Sequence, residues 1–352
     1  MATSSQAPTD GASANGSDDT PSIHQKSREK VPWGPEIWDA MDRIVHDEVT
    51  RTCIHQKFIP CHKVHPKTTS VQADVINVQS LEGENILMID EGAMIRLNEI
   101  WIEFALTPQQ VHEAAEAKHP EHATPVLLAR KGANYLSQAM DLLVFQGVNA
   151  YFTSFFQKNV SFRPGQYPTD TGLLSLPVAS GTLPTTFTPP PTTSVPVQAL
   201  QVAQITGEGP GVTWGTNSFL QTAAAYSALN GVGQYGPYAG AFQTIPYADT
   251  FAPVQGLVIT ADRIKPIMDA GFYGSGALAS SVADPGVAPA PAGYGVVVSL
   301  GGTMDVVVGQ APEVVFRQED PQGNFVFGVM ARLALRVLDS TGIVRLDFMP
   351  AV

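Results

Sequence analysis

Charge is the scarcest feature of this chain. Only 15% of its 352 residues are Asp, Glu, Lys or Arg, where about 25% is typical of a soluble domain. What charge there is runs acidic, with 20 Lys and Arg against 32 Asp and Glu and a net charge of -12. That balance excludes a general polyanion binder held by a basic face. Cysteine is nearly absent, and Cys53 and Cys61 alone cannot form a disulfide framework for a chain this long. No apolar run reaches transmembrane length and no basic-plus-apolar leader opens the sequence. The expectation is a protein that is neither secreted nor membrane-spanning. Catalytic signatures are missing too: there is no Gly-Lys-Ser/Thr phosphate loop, no Gly-x-Ser-x-Gly elbow and no His-Glu-x-x-His,. Gly207-Glu208-Gly209-Pro210-Gly211 holds a proline and lacks a following Lys, which fits a loop better than a phosphate cradle. The sequence assigns no catalytic residue, no cofactor-binding residue and no cofactor.

Apolar residues make up 44% of the chain, enough for a sizeable core, and their spacing changes character along it. The first thirty residues are small, polar and turn-forming, with Ile23 their one large aliphatic residue after Met1. Such a segment buries too little surface to offset the entropy of ordering it. It reads as an arm ordered by contact with something else, or as a disordered tail. A helix follows: Pro35 suits the first helical position, and Ile37, Met41, Ile44, Val45 and Val49 recur at helical spacing,. Asp39, Asp42, Asp47 and Glu48 fall on its polar side, a solvated face rather than a paired-carboxylate site. From Ser70 to Leu106 the pattern is extended, interrupted at Leu81-Glu82-Gly83 and Glu91-Gly92, and predicts a long hairpin that rests partly on a neighbour.

Over residues 123–147, Val126, Ala129, Ala133, Leu136, Met140, Leu143 and Gly147 step by three and four. This predicts a long buried helix whose small residues admit another backbone; a coiled coil is the rival reading. Between Pro164 and Ala261 only Asp170, Glu208 and Asp249 carry charge, and residues 164–196 hold eight prolines. That composition forbids a helix and predicts extended structure lying against protein. The last third is strand-rich. It runs from Gly295–Leu300 through Met304–Val308 and Glu313–Gln318, turns at Asp320-Pro321-Gln322-Gly323-Asn324, and continues in a long alternation from Phe325 to Val337 and in Ile343–Phe348,.

One group of side chains offers metal ligands: Cys53, His55, Cys61, His62 and His65. Two thiols and three imidazoles are the right chemistry for zinc. Their spacings match no zinc-finger pattern, however, and adjacent Cys61 and His62 are awkward for one ion, so the expectation is no metal. His112, His119 and His122 read as exposed polar positions.

The order arm, helix, projecting hairpin, long helix, uncharged middle and long C-terminal strands resembles the Hong Kong 97-type capsid fold. Tailed-phage major capsid proteins and bacterial encapsulins share that fold. Local wording agrees in three places. Trp38 to Val49 followed by Gln56-Lys57-Phe58-Ile59-Pro60 looks like an encapsulin-type start. Gly236-Pro237-Tyr238-Ala239 resembles a recurring axial-domain motif. Gly295 to Ser299, Met304 to Gln310 and Phe325 to Leu346 resemble the closing strands. The resemblance implies an α+β chain with residues 1–34 as flexible arm, 35–67 as N-terminal helix and connection, and 68–106 as extended loop. It further implies 107–163 as peripheral domain with a spine helix, 164–215 as a Pro/Thr-rich insert and 216–311 as axial domain. Residues 312–352 would be C-terminal strands returning through the peripheral domain.

By the same resemblance the chain is not an enzyme. It is expected to be the major capsid protein of a tailed bacteriophage, assembling with itself as pentamers and hexamers into an icosahedral shell around double-stranded DNA. The virion would be built in the host bacterial cytoplasm, with portal, scaffolding or decoration proteins as the further partners such shells use. The alternative is an encapsulin nanocompartment enclosing a cargo enzyme; its best support is the first helix, since such helices line the cargo-peptide groove there. The long arm and the Pro/Thr-rich insert depart from encapsulins and fit a phage capsid better. Some capsids of this fold join subunits by an amide bond between a hairpin Lys and a neighbour's Asn. No Lys lies between Lys67 and Lys118 here, and Arg96 is the only basic residue of the hairpin, whereas Asn77, Asn85 and Asn98 are present. The expected shell is therefore non-covalent.

Overall fold

The computed structural model describes residues 27–81, 84–90, 93–117, 119–163, 172–177, 197–205, 213–252, 258–279 and 290–350. Helix α1 (Pro35–Thr52) opens on its proline with Glu36 in the first turn, where the helix dipole favours an anion. The predicted stripe Ile37, Met41, Val45 and Val49 is buried. Strands β1 (Cys61–Lys63), β2 (Ser70–Gln72), β3 (Val75–Leu81), β4 (Glu84–Asp90), β5 (Met94–Arg96) and β6 (Asn98–Leu106) follow. Helix α2 (Pro108–Ala115) starts in a capping box, in which the Thr107 hydroxyl accepts from Gln110 N and the Gln110 side chain accepts from Thr107 N,. Helix α3 (Thr124–Gln146) ends at Gly147, whose φ of 58° is left-handed, a conformation in which glycine carries no Cβ penalty.

Beyond it lie α4 (Ser154–Asn159), β7 (Ser161–Arg163), β8 (Gln198–Val202), α5 (Gly215–Gly231), β9 (Tyr238–Gln243), α6 (Thr244–Asp249), α7 (Thr260–Ile264) and β10 (Gly271–Ser275). The chain closes with β11 (Gly293–Ser299), β12 (Met304–Glu319), β13 (Phe325–Val337) and β14 (Ile343–Phe348). Two five-stranded sheets organise these elements, in the orders β1-β12-β13-β6-β7 and β10-β9-β11-β14-β8. The first is antiparallel except where β1 joins β12. The second pairs β10 with β9 and β8 with β14 in parallel.

Helix α3 packs against α1 and against β6 and β13 of the first sheet, and α1 touches β12 of the same sheet. Its seam Val126, Ala129, Ala133, Leu136, Met140 and Leu143 is buried as the spacing predicts. The partner is the chain's own sheet and α1, so no coiled coil is needed to cover it. Gly132 sets the approach: a Cβ there would sit 2.8 Å from Val329 Cγ2. Side chains of α5, α7 and the second sheet form a second cluster around Phe242, Phe348, Leu346 and Ile264.

The described chain includes packed residues before the expected arm boundary at residue 34. Residues 1–26 lie outside the described residues, but Val31 and Trp33 are core. Trp33 stacks on Phe327 with ring centroids 5.0 Å apart, and its indole N–H donates to Val111 O at 2.9 Å. Arg28 makes a two-pronged ion pair with Asp42 and lies 4.8 Å over the Trp38 ring. A buried aromatic with a polar handle outweighs the polar composition around it.

The extended pattern over 68–106 is also not one hairpin. β3 pairs with β4 and β2 with β5, whereas β6 leaves the ribbon and joins β13, because Ile100, Trp101 and Ile102 are all buried and need a sheet. The expected boundary at 311/312 falls inside β12, a single strand of 16 residues. Register shifts at Val308/Gln310, Gln310/Glu313 and Phe316/Gln318 let it absorb Gly309 and Pro312 as bulges. β14 does not return through the first sheet but pairs in the second, where all six of its residues are buried. Of the expected insert 164–215, Leu173 and Val197 are core and β8 is a strand; the proline tract at 189–191 lies outside the described residues.

Leu136→Asp, which places an unpaired charge in the α3 seam, is expected to cost several kcal/mol, roughly 3–5. Gly132→Ala should also destabilise, by about 1–3 kcal/mol through overpacking against Val329. Denaturant unfolding of the soluble chain measures both; an unchanged midpoint for Leu136→Asp would place the buried face elsewhere.

Candidate assembly surface

The ribbon β2–β5 is anchored at its root by one arginine. Arg336, near the end of β13, donates through Nε and Nη2 to Asp305 at 3.0 and 2.6 Å and through Nη1 to Asp74 at 2.8 Å. Asp74 sits where the ribbon bends, at a left-handed φ of 50°, which Asp tolerates better than most residues. The backbone adds a bond from Ile76 N to Leu338 O at 2.8 Å. One strand turn earlier, Arg332 reaches Glu99 and the Pro66 carbonyl, each at 3.0 Å. The root is therefore held at a defined angle to the first sheet.

The ribbon itself carries apolar side chains with nothing beneath them. Leu87, Met88 and Ile89 are 69%, 41% and 58% exposed, and Met94 is exposed as well. Successive strand residues face opposite sides, so over residues 87–89 β4 exposes apolar side chains on both faces. A two-stranded ribbon is marginal alone, and contiguous exposed apolar surface on it marks a contact region. In the middle of the chain Val232, Tyr235, Ile245 and Val258 are exposed around α5, α6 and the start of α7. No helix among the described residues is long and apolar enough to cross a membrane.

The predicted ligand group divides. Cys61, His62 and His65 lie exposed on and after β1; His65 Nδ1 accepts from Lys67 N at 3.1 Å. Cys53 and His55 are buried at the end of α1. There they meet a residue that sequence reasoning missed, Asp141 of α3, separated from His55 by 86 positions. Its only sequence signal was a charge in a predominantly apolar helix. Burial, then the Asp141 carboxylate, push the Cys53 thiol well above its ordinary value, so it is no thiolate nucleophile at neutral pH. Both Cys53 Sγ, at 3.1 Å, and Asp141 Oδ1, at 2.8 Å, face His55 Nδ1. A catalytic relay would use the two different ring nitrogens. His112, His119 and His122 are exposed, as expected.

Two measurements check this geometry. Arg336→Ala frees Asp74 and is expected to raise amide exchange through residues 70–96 while moving the melting temperature by only a few degrees. With thiol reagent at neutral pH, native protein should present Cys61 alone and unfolded protein both cysteines, because the Cys53 thiol is buried and protonated. Rapid labelling of Cys53 in the native chain would contradict its placement.

No family model matches the sequence, and no curated protein does. Solved structures do match. A virus-like particle from Pyrococcus furiosus superposes with a TM-score of 0.57 at 13% identity, over 89% of this chain and 100% of that one. The capsid of an empty GTA particle gives 0.53 at 10% identity over 85% and 97%. The capsid of Myoviridae phage XM1 gives 0.51 at 11% identity over 84% and 91%. The match runs nearly end to end in these chains, and the fold is the Hong Kong 97-type capsid fold.

Proposed function

We propose that this chain is the major capsid protein of a tailed bacteriophage, whose copies assemble into an icosahedral shell enclosing double-stranded DNA. The observation that carries the reading is the anchored ribbon with apolar side chains bare on both faces. A surface of that kind marks a contact region, and the reading assigns a second copy to cover it. The contact is heterologous: ribbon on one copy, a different surface on the next. Repeated around an axis, such contacts close into rings, here the pentamers and hexamers of a shell. The work of the protein is burial of self-complementary area, not catalysis, and each stable contact should bury more than about 1,000 Å².

The acidic balance supports a container rather than a binder. A net charge of -12 repels a packaged polyanion from the wall, so the genome is confined without being held to it. Portal, scaffolding and decoration proteins would meet the same shell, in the virion and during assembly in the host cytoplasm. A nanocompartment around a cargo enzyme is the second reading of the fold. The capsid structures it superposes on favour the phage reading, as do the long N-terminal segment and the Pro/Thr-rich insert.

Electron microscopy of the purified, recombinant chain is expected to show closed shells, and a chain that stays monomeric at all concentrations would overturn the proposal. Particles from the native source should contain nuclease-protected double-stranded DNA; a stoichiometric folded enzyme instead would select the nanocompartment. The ribbon has no lysine to form an amide cross-link. Boiling mature particles in detergent with reductant should therefore release monomers of one size, and a covalent ladder would refute a non-covalent shell.

A further inference from the structure

We infer that Cys53, His55 and Asp141 form a zinc site that ties the end of α1 to the long helix α3. The inference rests on the folded subunit alone and is independent of the shell. A thiol, an imidazole and a carboxylate converge with donor atoms 3.1 Å (Sγ to Nδ1), 3.4 Å (Sγ to Oδ1) and 2.8 Å (Nδ1 to Oδ1) apart. Tetrahedral zinc, with bonds of about 2.0 Å to nitrogen and oxygen and 2.3 Å to sulfur, sets such edges at about 3.3–3.5 Å. The triangle needs to open by only a few tenths of an ångström.

Charge argues the same way. All three residues are buried, and His55 Nδ1 lies 2.8 Å from the Asp141 carboxylate. A dication with one thiolate and one carboxylate sums to zero, which removes the cost of a buried net charge. In the metal-free cluster the Cys53 thiol donates to Asp141 Oδ1, and His55 Nδ1 lies within hydrogen-bond distance of the same oxygen. Zinc entry releases the thiol proton to solvent and leaves the imidazole's one proton on Nε2. No electron moves and no co-reactant is needed.

The ligands are also pre-set. The Asp141 carboxylate accepts from Ile54 N at 3.0 Å and His55 N at 3.0 Å, the outer-shell support that fixes a ligating carboxylate. Asp141 borders an open cleft of about 500 Å³ lined also by Thr52, Ile54, Gln138 and Gln146. Cys53 and His55 do not line the cleft; zinc would reach them past the Asp141 carboxylate and would take water as its fourth ligand. Thiolate with imidazole selects zinc over magnesium or calcium, which take oxygen ligands. Spacing along the chain could not show this set, because its third member lies on another helix.

The test uses the full chain, stripped with chelator, loaded with Zn²⁺ alone or Co²⁺ alone, and desalted. Wild type and Cys61→Ser should each retain one zinc per chain by elemental mass spectrometry and show the cobalt–thiolate charge-transfer band. Cys53→Ser should lose that band, and Asp141→Asn should weaken zinc binding by more than the roughly 10–100-fold that loss of an outer-shell partner costs. Wild-type protein that retains no zinc would overturn the site and leave a hydrogen-bonded triad. So would bound cobalt without a thiolate band, or loss of the band in Cys61→Ser. Should Cys53→Ser not fold, the wild-type cobalt spectrum alone decides. Shell formation with no bound zinc would sink this inference and spare the proposed function.

Discussion

The depth to which helix α3 packs against both α1 and the first sheet is the constraint on which the other features of this structure depend. Small residues make that depth reachable: Ala129 and Ala133 are fully buried, and Gly132 lets the helix backbone close on Val329. A helix so enclosed must also satisfy the polar groups it carries inward. Ser137 donates to the Ala133 carbonyl and accepts from Thr52. Gln146 donates to Ala277 O at 2.6 Å, joining the end of the helix to the segment after β10. Asp141 receives the backbone and side chains of the turn after α1. The polar groups of one helix thereby position the elements around it.

Several partly buried charges of this chain sit at junctions. Arg28 and Asp42 pin the entering chain to α1, and Arg28 also donates to Val314 O on β12. Arg332 and Arg336, four residues apart on one face of β13, hold Glu99, Asp305 and Asp74. Arg345 and Asp347 pair within the second sheet, each about one-twentieth exposed. Partly buried, multidentate pairs of this kind fix orientation more than they add stability. Orientation is what a projecting ribbon requires if its tip is to meet a second copy at a fixed place.

The sequence by itself determined the elements whose physics is local. The α1 stripe, the α3 seam, the Pro108 helix start and the β13 alternation are each periodicities or caps written in neighbouring residues, and the structure holds all four. The order of those elements carried the fold as well, although no single motif did. Tertiary structure alone decided what depends on partners distant in the chain. Trp33 is core because Phe327 faces it, β6 leaves the ribbon because β13 offers it a sheet edge, and β14 belongs to the second sheet for the same reason. Cys53 and His55 part from Cys61, His62 and His65, near neighbours in sequence, because the turn after α1 folds inward onto Asp141 while β1 runs along the surface. Residue type and spacing report which chemistry is available; only long-range packing brings donors from two helices to one point.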